Sequence, residues 1–297
     1  MSVFDYVTVR QLATGLKFPE GPVAWDDGSI TVVEIEGGSV AQIRPSGEIR
    51  RFDCGGGPNG SAVGPDGLLY VCNDGGLVFR TIEDGAREPY GAVEGYTGGA
   101  LQRVDPESGE VETLFTQSGG EPLGVLNDIV FDTGGGAYVV DTTGNRLHYM
   151  HPGMGEIAIV ATDVTHPNGG ALSADGKTLY ISETYNARLV AFEVLSSGEL
   201  GAPQEIFRST GGYRFDGLAV DGAGHLCVAN MERSEICVFD PSGEQVAAFQ
   251  TPRHDPYVTN ICFGGPEGST AFITSAGHGI LYSVEWPWPG LRLNFAA

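Results

Sequence analysis

EGPVAWDDG (residues 20–28), NGSAVGPDG (59–67), NDIVFDTGG (127–135), NGGALSADG (168–176), DGLAVDGAG (216–224) and NICFGGPEG (260–268) share one pattern. In each, a polar residue (Glu20, Asn59, Asn127, Asn168, Asp216 or Asn260) is followed eight positions later by a glycine, with a largely apolar run between them. A recurring unit of this kind decides the architecture before any single motif does. It also sets one carboxylate or carboxamide at an equivalent position in every unit, which is how a chain could assemble a ring of oxygen donors.

The six polar anchors lie 39, 68, 41, 48 and 44 residues apart. Units of about 40–45 residues holding about four short strands each match the blades of a propeller. Short β-rich runs separated by turn residues support this: LLYVCN, AYVVD, TLYISE, HLCVAN, EICVFD and TAFITSA. A second motif, IRPSGE (43–48), VDPESGE (104–110), EVLSSGE (193–199) and FDPSGE (239–244), reads as hairpin tips. TIEDG (81–85) and HPGMGE (151–156) are weaker versions assigned to the remaining blades. The interval of 68 holds an insertion, residues 82–99, expected as a long loop in the second blade. The expectation is an all-β fold, one six-bladed β-propeller domain over residues 1–297. YVTVRQL (6–12) is expected to close the ring as the outermost strand of the last blade.

The 297 residues carry 38 acidic and 16 basic side chains, a formal net charge of −22. Such a field repels phosphate backbones and argues against a nucleic-acid partner. No apolar run approaches the roughly 18 residues of a membrane span. No basic stretch leads into an apolar one at the N-terminus, so a signal peptide is not expected. Five cysteines, Cys54, Cys72, Cys227, Cys237 and Cys262, form no C-x-x-C pair, and the odd number suits a reduced, cytoplasmic chain. Cys227 and Cys237 flank one hairpin, where they could face each other.

Equivalent positions before the first strand of each blade converge at one end of the central channel. Two acids and four carboxamides, with no His or Cys, form a hard-oxygen set suited to Ca2+, Mg2+ or Mn2+. The competing interpretation is that the anchors are turn residues, which the pairs Asn59-Gly60, Asn168-Gly169 and Asp216-Gly217 would fit. It suits Glu20 less, because Glu is not a favoured turn residue.

FPEGPVAW, VLNDIVFDTGG, HPNGGALSADGKTLYISET, FDGLAVDGAGHLCVAN and NICFGG, in order and in register, resemble the senescence-marker-protein/gluconolactonase/regucalcin family of six-bladed propellers. The resemblance spans about residues 15 to 285 and implies a metal-dependent lactonase acting on a small-molecule lactone or ester. The implied cofactor is one divalent cation, Ca2+ first, with Zn2+, Mn2+, Mg2+ and Fe2+ as alternatives. The family's ligands map onto Glu20, Asn168 and Asp216. Asn127 maps onto a substrate contact or additional ligand. Asp216 is the expected general base toward water activated at the cation. Asn59, Asn260 and Tyr185 join Asn127 as candidate substrate contacts. Family members that open sugar-acid lactones often carry Arg where this chain has Val125, followed by Leu126. An apolar pair cannot hydrogen-bond a polyol, so the expected pocket leans apolar. Tyr213, Phe215 and Tyr257 are further candidates for an apolar wall, and His166 and His254 for substrate contact. A phosphotriesterase or arylesterase on the same cation, or a non-catalytic calcium-binding propeller, is the alternative. A monomer or small homo-oligomer is expected.

Other patterns carry less. Residues 55–60, GGGPNG, match G-x-G-x-x-G, but Pro58 and the repeat make them the turn into the second blade rather than a dinucleotide site. His148-x-x-His151 lacks a third ligand nearby and is expected as surface histidines. No G-x-S-x-G elbow is present.

Overall fold

Each of the six repeats folds as an antiparallel sheet in the computed structural model, which describes residues 3–5 and 7–295. Blade 1 runs Pro19–Ala24, Ile30–Glu34, Ser39–Ile43 and Ile49–Asp53, in that order from the channel outward. The first strands of blades 2 to 6 are Pro58–Val63, Leu126–Phe131, Pro167–Leu172, Phe215–Val220 and Val258–Gly264. Blade 4 adds a two-residue strand, Glu199–Leu200, beside its third strand. The second strand of blades 1, 2, 3 and 5 is buried at every position, because neighbouring blades cover both of its faces. This is why those segments are continuous apolar runs rather than alternating ones.

The glycines at the eight-residue offset all turn the chain between the first and second strands. Gly28, Gly67, Gly135, Gly176, Gly224 and Gly268 have φ between 67° and 87°. A side chain with a Cβ resists that left-handed region, so the offset records a tight turn of fixed length.

The core is divided among the blade interfaces. Val33, Val40 and Phe52 of blade 1 meet Val63, Leu69 and Val71 of blade 2. Cys227, Ile236 and Phe249 of blade 5 meet Ile261, Ile273 and Tyr282 of blade 6. Comparable clusters join blades 2 and 3, 3 and 4, 4 and 5, and 6 and 1. Each large side chain fully buried there contributes about 1.5–3 kcal/mol.

Blade 6 takes its outermost strand from the N-terminal part of the chain. Val9–Thr14 pairs antiparallel with Ile280–Glu285, the register running from Val9 opposite Val284 to Thr14 opposite Ile280. The closing strand was expected at 6–12; it starts at Val9, and Tyr6 lies outside the described residues. Among the described residues no helix is long and apolar enough to cross a membrane.

Several expectations need correction. The insertion is not a loop alone: Leu77–Thr81 and Arg87–Ala92 pair as a separate two-stranded hairpin between the second and third strands of blade 2. TIEDG is the tip of that hairpin and not a blade turn. Blade 6 needs no such tip, because its fourth strand arrives from the other end of the chain. Cys227 and Cys237 do not face each other: Cys227 is opposite Val238 and Cys237 opposite Val228. That one-residue offset puts them on opposite faces of blade 5, and all five thiols are free and buried. His148 is not a surface histidine. It is buried, with Nε2 3.3 Å from Asp141 Oδ2, whereas His151 is exposed.

A second set of polar groups holds the blades' first strands in place. Glu34, Asn73, Asp141, Glu183 and Asn230 end the second strands of blades 1 to 5. Each accepts a backbone N–H from the segment leading into its own blade: Lys17, Gly57, Gly124, Thr165 and Arg214, at 2.8–3.1 Å. In blade 6 Asp255 does the equivalent work, accepting from the N–H groups of Tyr257 and His278. These clasps fix the chain two or three residues before every anchor.

Candidate metal centre

The anchors sit where the register of the first strand slips. In blades 1 to 5 the pairing of first and second strands shifts between Glu20 and Val23, Pro58 and Ser61, Leu126 and Ile129, Pro167 and Gly170, and Phe215 and Leu218; in blade 6 it shifts between Val258 and Asn260. Such bulges bend a strand and re-aim its side chains. All six anchors are buried, between 3% and 9% exposed.

The glycines of the pairs Asn59-Gly60, Asn168-Gly169 and Asp216-Gly217 lie inside first strands and not in turns. Gly60, Gly169 and Gly217 have no positive φ. A Cβ on Gly169 would stand 2.6 Å from the Leu218 amide nitrogen, and one on Gly217 would run into the Asn260 carboxamide. They are glycines because adjacent first strands nearly touch around the axis.

Blade-to-blade hydrogen bonds hold these strands together. Ser61 Oγ donates to the Gly21 carbonyl at 2.7 Å, and Thr259 Oγ1 donates to that of Pro19 at 3.1 Å. Ser182 Oγ accepts from Gly169 N–H at 2.9 Å and donates to the Asp216 carbonyl at 2.6 Å, so one hydroxyl sets the backbones next to two expected ligands. The alternation of Ser182 and Thr184 within TLYISET was the available signal for this role, and the sequence reading left it unused.

The donor atoms divide clearly. Asn168 Nδ2 donates to Thr184 Oγ1 at 3.1 Å, and this turns Asn168 Oδ1 toward the channel, where it is buried without a hydrogen-bond partner. Glu20 Oε2 accepts from Asn260 Nδ2 at 2.7 Å and from the Gly21 N–H. Its Oε1 accepts none among the described residues. Asn260 is fully used, because its Oδ1 accepts from Ile261 N–H at 2.8 Å. It positions Glu20 rather than presenting an oxygen of its own. Asp216 lies beside Asn168, within reach of its carboxamide. Asn59 faces Asp74, the residue after the blade 2 clasp.

Three buried carboxyl groups share this end of the channel. Burial pushes Glu20 well above the ordinary carboxylate range, and the Asp216 and Asp128 charges push it further. Burial raises Asp216 to about 8, against the pull of Asn168 and Arg214. Burial raises Asp128 to about 7, although it accepts from Gly170 N–H at 2.9 Å and Ile129 N–H at 2.9 Å. Sequence reasoning passed over Asp128; its signal was the second letter of the Asn127-Asp128 pair. Acids held together out of water are costly unless a cation compensates. Among the described residues no three His, Cys, Asp or Glu side chains converge as a metal-binding group. A set of two carboxylates completed by carboxamide oxygens is hard enough for calcium without a third acid. The unpartnered Asn168 Oδ1 and the free Glu20 Oε1 fit such an ion.

The wall above the ring is asymmetric. Phe18, Ile35, Met231, Tyr257 and Ala276 form a buried apolar cluster at the anchor end, and Leu77 and Phe79 of the inserted hairpin lie against it. Phe18 stacks on Phe79 and Tyr257 with ring centroids 5.0 and 5.3 Å away. Asp74, Thr142 and Thr184 line the equivalent positions of blades 2, 3 and 4. Phe18 and His166, each two residues before an expected ligand, hold φ of 58° and 51°. Non-glycine residues in that region cluster at functional sites.

The remaining candidates separate. Of the apolar pair, Leu126 is in the core between blades 2 and 3, and only Val125 is partly exposed at this end. Tyr185 is 72% exposed and stacks on His166 at 4.4 Å, on the rim rather than in the ring. Phe215 is core, and Tyr213 is held by Gln245, with its hydroxyl donating at 2.7 Å. His254 is exposed. A cavity of about 740 Å3 opens at the opposite end. Gly21, Asp128 and Asn260 line it, but Glu20, Asn168 and Asp216 do not.

Comparison with known proteins identifies the fold and the family. The pentonolactonase XacC of Haloferax volcanii is 28% identical over 90% of this chain and 84% of its own length. The gluconolactonase of Zymomonas mobilis is 24% identical over 94% of this chain and 82% of its own. A gluconolactonase structure from Xanthomonas campestris superposes with a TM-score of 0.77 at 23% identity, covering 96% of this chain and 91% of that one. A regucalcin from Agrobacterium tumefaciens, described as calcium-binding, superposes with a TM-score of 0.73 at 19% identity, covering 97% and 98%. The family model for the SMP-30/gluconolactonase/LRE-like region matches residues 18–277, and the chain belongs to that family.

Proposed function

We propose that this protein hydrolyses a lactone at a single divalent cation held by Glu20, Asn168 and Asp216, with Asn127 beside them. The observation that carries the proposal is the oriented oxygen set. Thr184 takes the amino end of Asn168, Asn260 takes one oxygen of Glu20, and an unpartnered oxygen is left on each. The lactonase names of the relatives from Haloferax volcanii and Zymomonas mobilis support the same chemistry.

A cation bound there supplies Lewis acidity toward an ester carbonyl and lowers the pKa of water. The protein's own groups do the rest. Asp216, beside Asn168, takes the proton from the attacking water and passes it to the ring oxygen as the acyl–oxygen bond breaks. Asn127, whose carboxamide makes no hydrogen bond among the described residues, orients the substrate from blade 3. Thr184, Ser182 and Asn260 keep the donors aimed, so little reorganisation accompanies reaction. Calcium suits the all-oxygen set best.

The substrate class follows from the wall. Half-buried Val125 leads into blade 3, and half-buried Leu77 and Phe79 cover the buried cluster of Phe18, Ile35, Met231 and Ala276; these three side chains offer apolar contact at the mouth. Aliphatic lactones are therefore expected to react faster than aldonolactones.

Metal analysis and a pH-indicator screen over sugar lactones, aliphatic lactones, aryl esters and phosphotriesters test the proposal. Asp216→Asn and Glu20→Gln are expected to lower kcat/KM by at least about a thousandfold. Calcium should raise the melting temperature of the wild type and not that of Glu20→Gln. Without calcium the variant should be at least as stable as the wild type, because a buried charge has been removed. Wild-type turnover by either variant would sink the assignment. Aldonolactones opened as fast as aliphatic ones would overturn the role given to Val125.

A further inference from the structure

Arg214 lies two residues before Asp216, at the mouth of the channel, and is unlike the other arginines at this end. Arg51, Arg87, Arg146 and Arg188 are each paired with a carboxylate: Glu34, Glu36, Asp141 and Glu183. Arg214 has no carboxylate within ion-pair distance among the described residues. Its Nη2 donates to the Pro256 carbonyl at 2.9 Å, and its guanidinium lies over the Tyr257 ring, 5.2 Å from the centroid. Its Nε is buried with no hydrogen-bond partner. Leaving a buried charged donor unsatisfied costs more than a typical hydrogen bond contributes, so an acceptor is missing here.

The surroundings say what that acceptor is. The Arg214 charge is felt at Asp216 and at Glu88. Glu88 is already paired with Arg80 and accepts from the Tyr257 hydroxyl at 3.0 Å. The free side of the guanidinium is therefore left to a bound molecule. Lactone hydrolysis creates a suitable one. One water adds to the acyl carbon, the acyl–oxygen bond breaks, and the ring oxygen leaves as a hydroxyl. The new carboxylic acid gives its proton to solvent at neutral pH. A neutral substrate thus becomes an anion beside Glu20, Asp216 and Asp128, where a carboxylate is unwelcome. A planar guanidinium matches a carboxylate in geometry as well as charge.

We propose that Arg214 is a substrate- and product-contacting residue that binds the carboxylate of the hydroxy acid formed by ring opening. The identity of that anion rests on the lactonase reading, whereas the anion preference can be measured without turnover. Isothermal titration of the calcium-loaded protein with gluconate against glucitol, and γ-hydroxybutyrate against butanediol, separates charge from hydroxyl recognition. Arg214→Gln retains a donor for the Pro256 carbonyl. It is expected to weaken binding of the preferred acid by about tenfold while leaving the matching neutral alcohol within about twofold. Arg214→Lys keeps the charge without the fork and should lose about threefold for the acid alone. If Arg214→Gln fails to fold, the lysine variant carries the test.

Equal losses for acid and alcohol in these variants would overturn the proposal, as would no loss for either acid. The two readings fail separately. A blank lactone screen with a selective loss of acid binding removes the lactonase and keeps Arg214 as an anion contact. Lactone turnover with unchanged acid binding removes the role of Arg214 alone.

Discussion

At the scale of single residues, two kinds of polar position were present in the sequence, and only one stood out. The anchors could be found because a glycine turn follows each at a fixed distance. The clasps could not, although Glu34, Asn73, Asp141, Glu183 and Asn230 recur fourteen or fifteen residues after their anchors. Accepting a backbone N–H needs only an oxygen, so Glu, Asn and Asp exchange freely and the pattern dissolves. Asn-Gly likewise suggested a turn at positions that are crowded strand. A dipeptide does not distinguish left-handed backbone from close approach. The blade 1 clasp can be tested by pH. Burial alone would raise the Glu34 carboxyl, but Arg51, the Lys17 N–H and Ser39 outweigh it and hold it below its ordinary value of 4.5. A depressed folded pKa contributes stability that is complete above the unfolded value and is lost as pH falls through the folded one. Glu34→Gln should therefore cost about 2 kcal/mol at neutral pH. Unfolding curves of variant and wild type should converge as pH drops below 4.5. A gap that stays constant down to strongly acidic pH would show that the Glu34 charge contributes nothing.

At the scale of elements, the blades were legible and the inserted hairpin was not. LVFRT and REPYGA do not alternate cleanly, and Pro89 and Gly91 argue against a strand. The pairing accommodates them with a register shift between Val78 and Phe79 and by staying outside the blade sheets. Long-range contacts hold the hairpin in place. Arg87 N–H donates to the Gly277 carbonyl at 2.7 Å, its guanidinium forks onto Glu36, and Phe79 covers Phe18. Such distant partners cannot be read from a local window. Because the hairpin rests on the apolar cluster without supplying any of its buried members, it should open without unfolding the ring. Phe79→Ala is expected to speed limited proteolysis at residues 82–86 by about tenfold and to leave calcium affinity within about twofold. A loss of calcium binding equal to the gain in cleavage would mean that hairpin and ring unfold as one unit.

At the scale of the molecule, stability rests on six blade interfaces, and the ring is only as sound as its closure. The closing pairing was legible because a strand pattern near the N-terminus had no blade of its own. Its residues were misplaced by a few positions because edge strands carry weak patterns: Arg10, Gln11 and Leu12 are exposed, and the pairing slips between Gln11 and Ala13. Gly279 fixes the geometry of this join. Its φ is 65°, its carbonyl accepts from Leu16 N–H at 3.1 Å, and an added Cβ would collide with the Leu16 carbonyl oxygen. Gly47, at the outer tip of blade 1, has φ of 84° and open space around it. The two glycines therefore separate backbone strain from closure. Gly47→Ala should cost about 1 kcal/mol, the price of a left-handed alanine. Gly279→Ala carries a similar strain and must also push the chain at Leu16 away from the last blade. It should lose several kcal/mol, a fall in melting temperature of at least about 6 °C for a chain of this size. The freed edge of Ile280–Glu285 should also make the variant prone to aggregate on heating. Equal melting temperatures for the two variants would mean that the ring does not depend on this join, and that the interfaces alone hold blade 6 against blade 1.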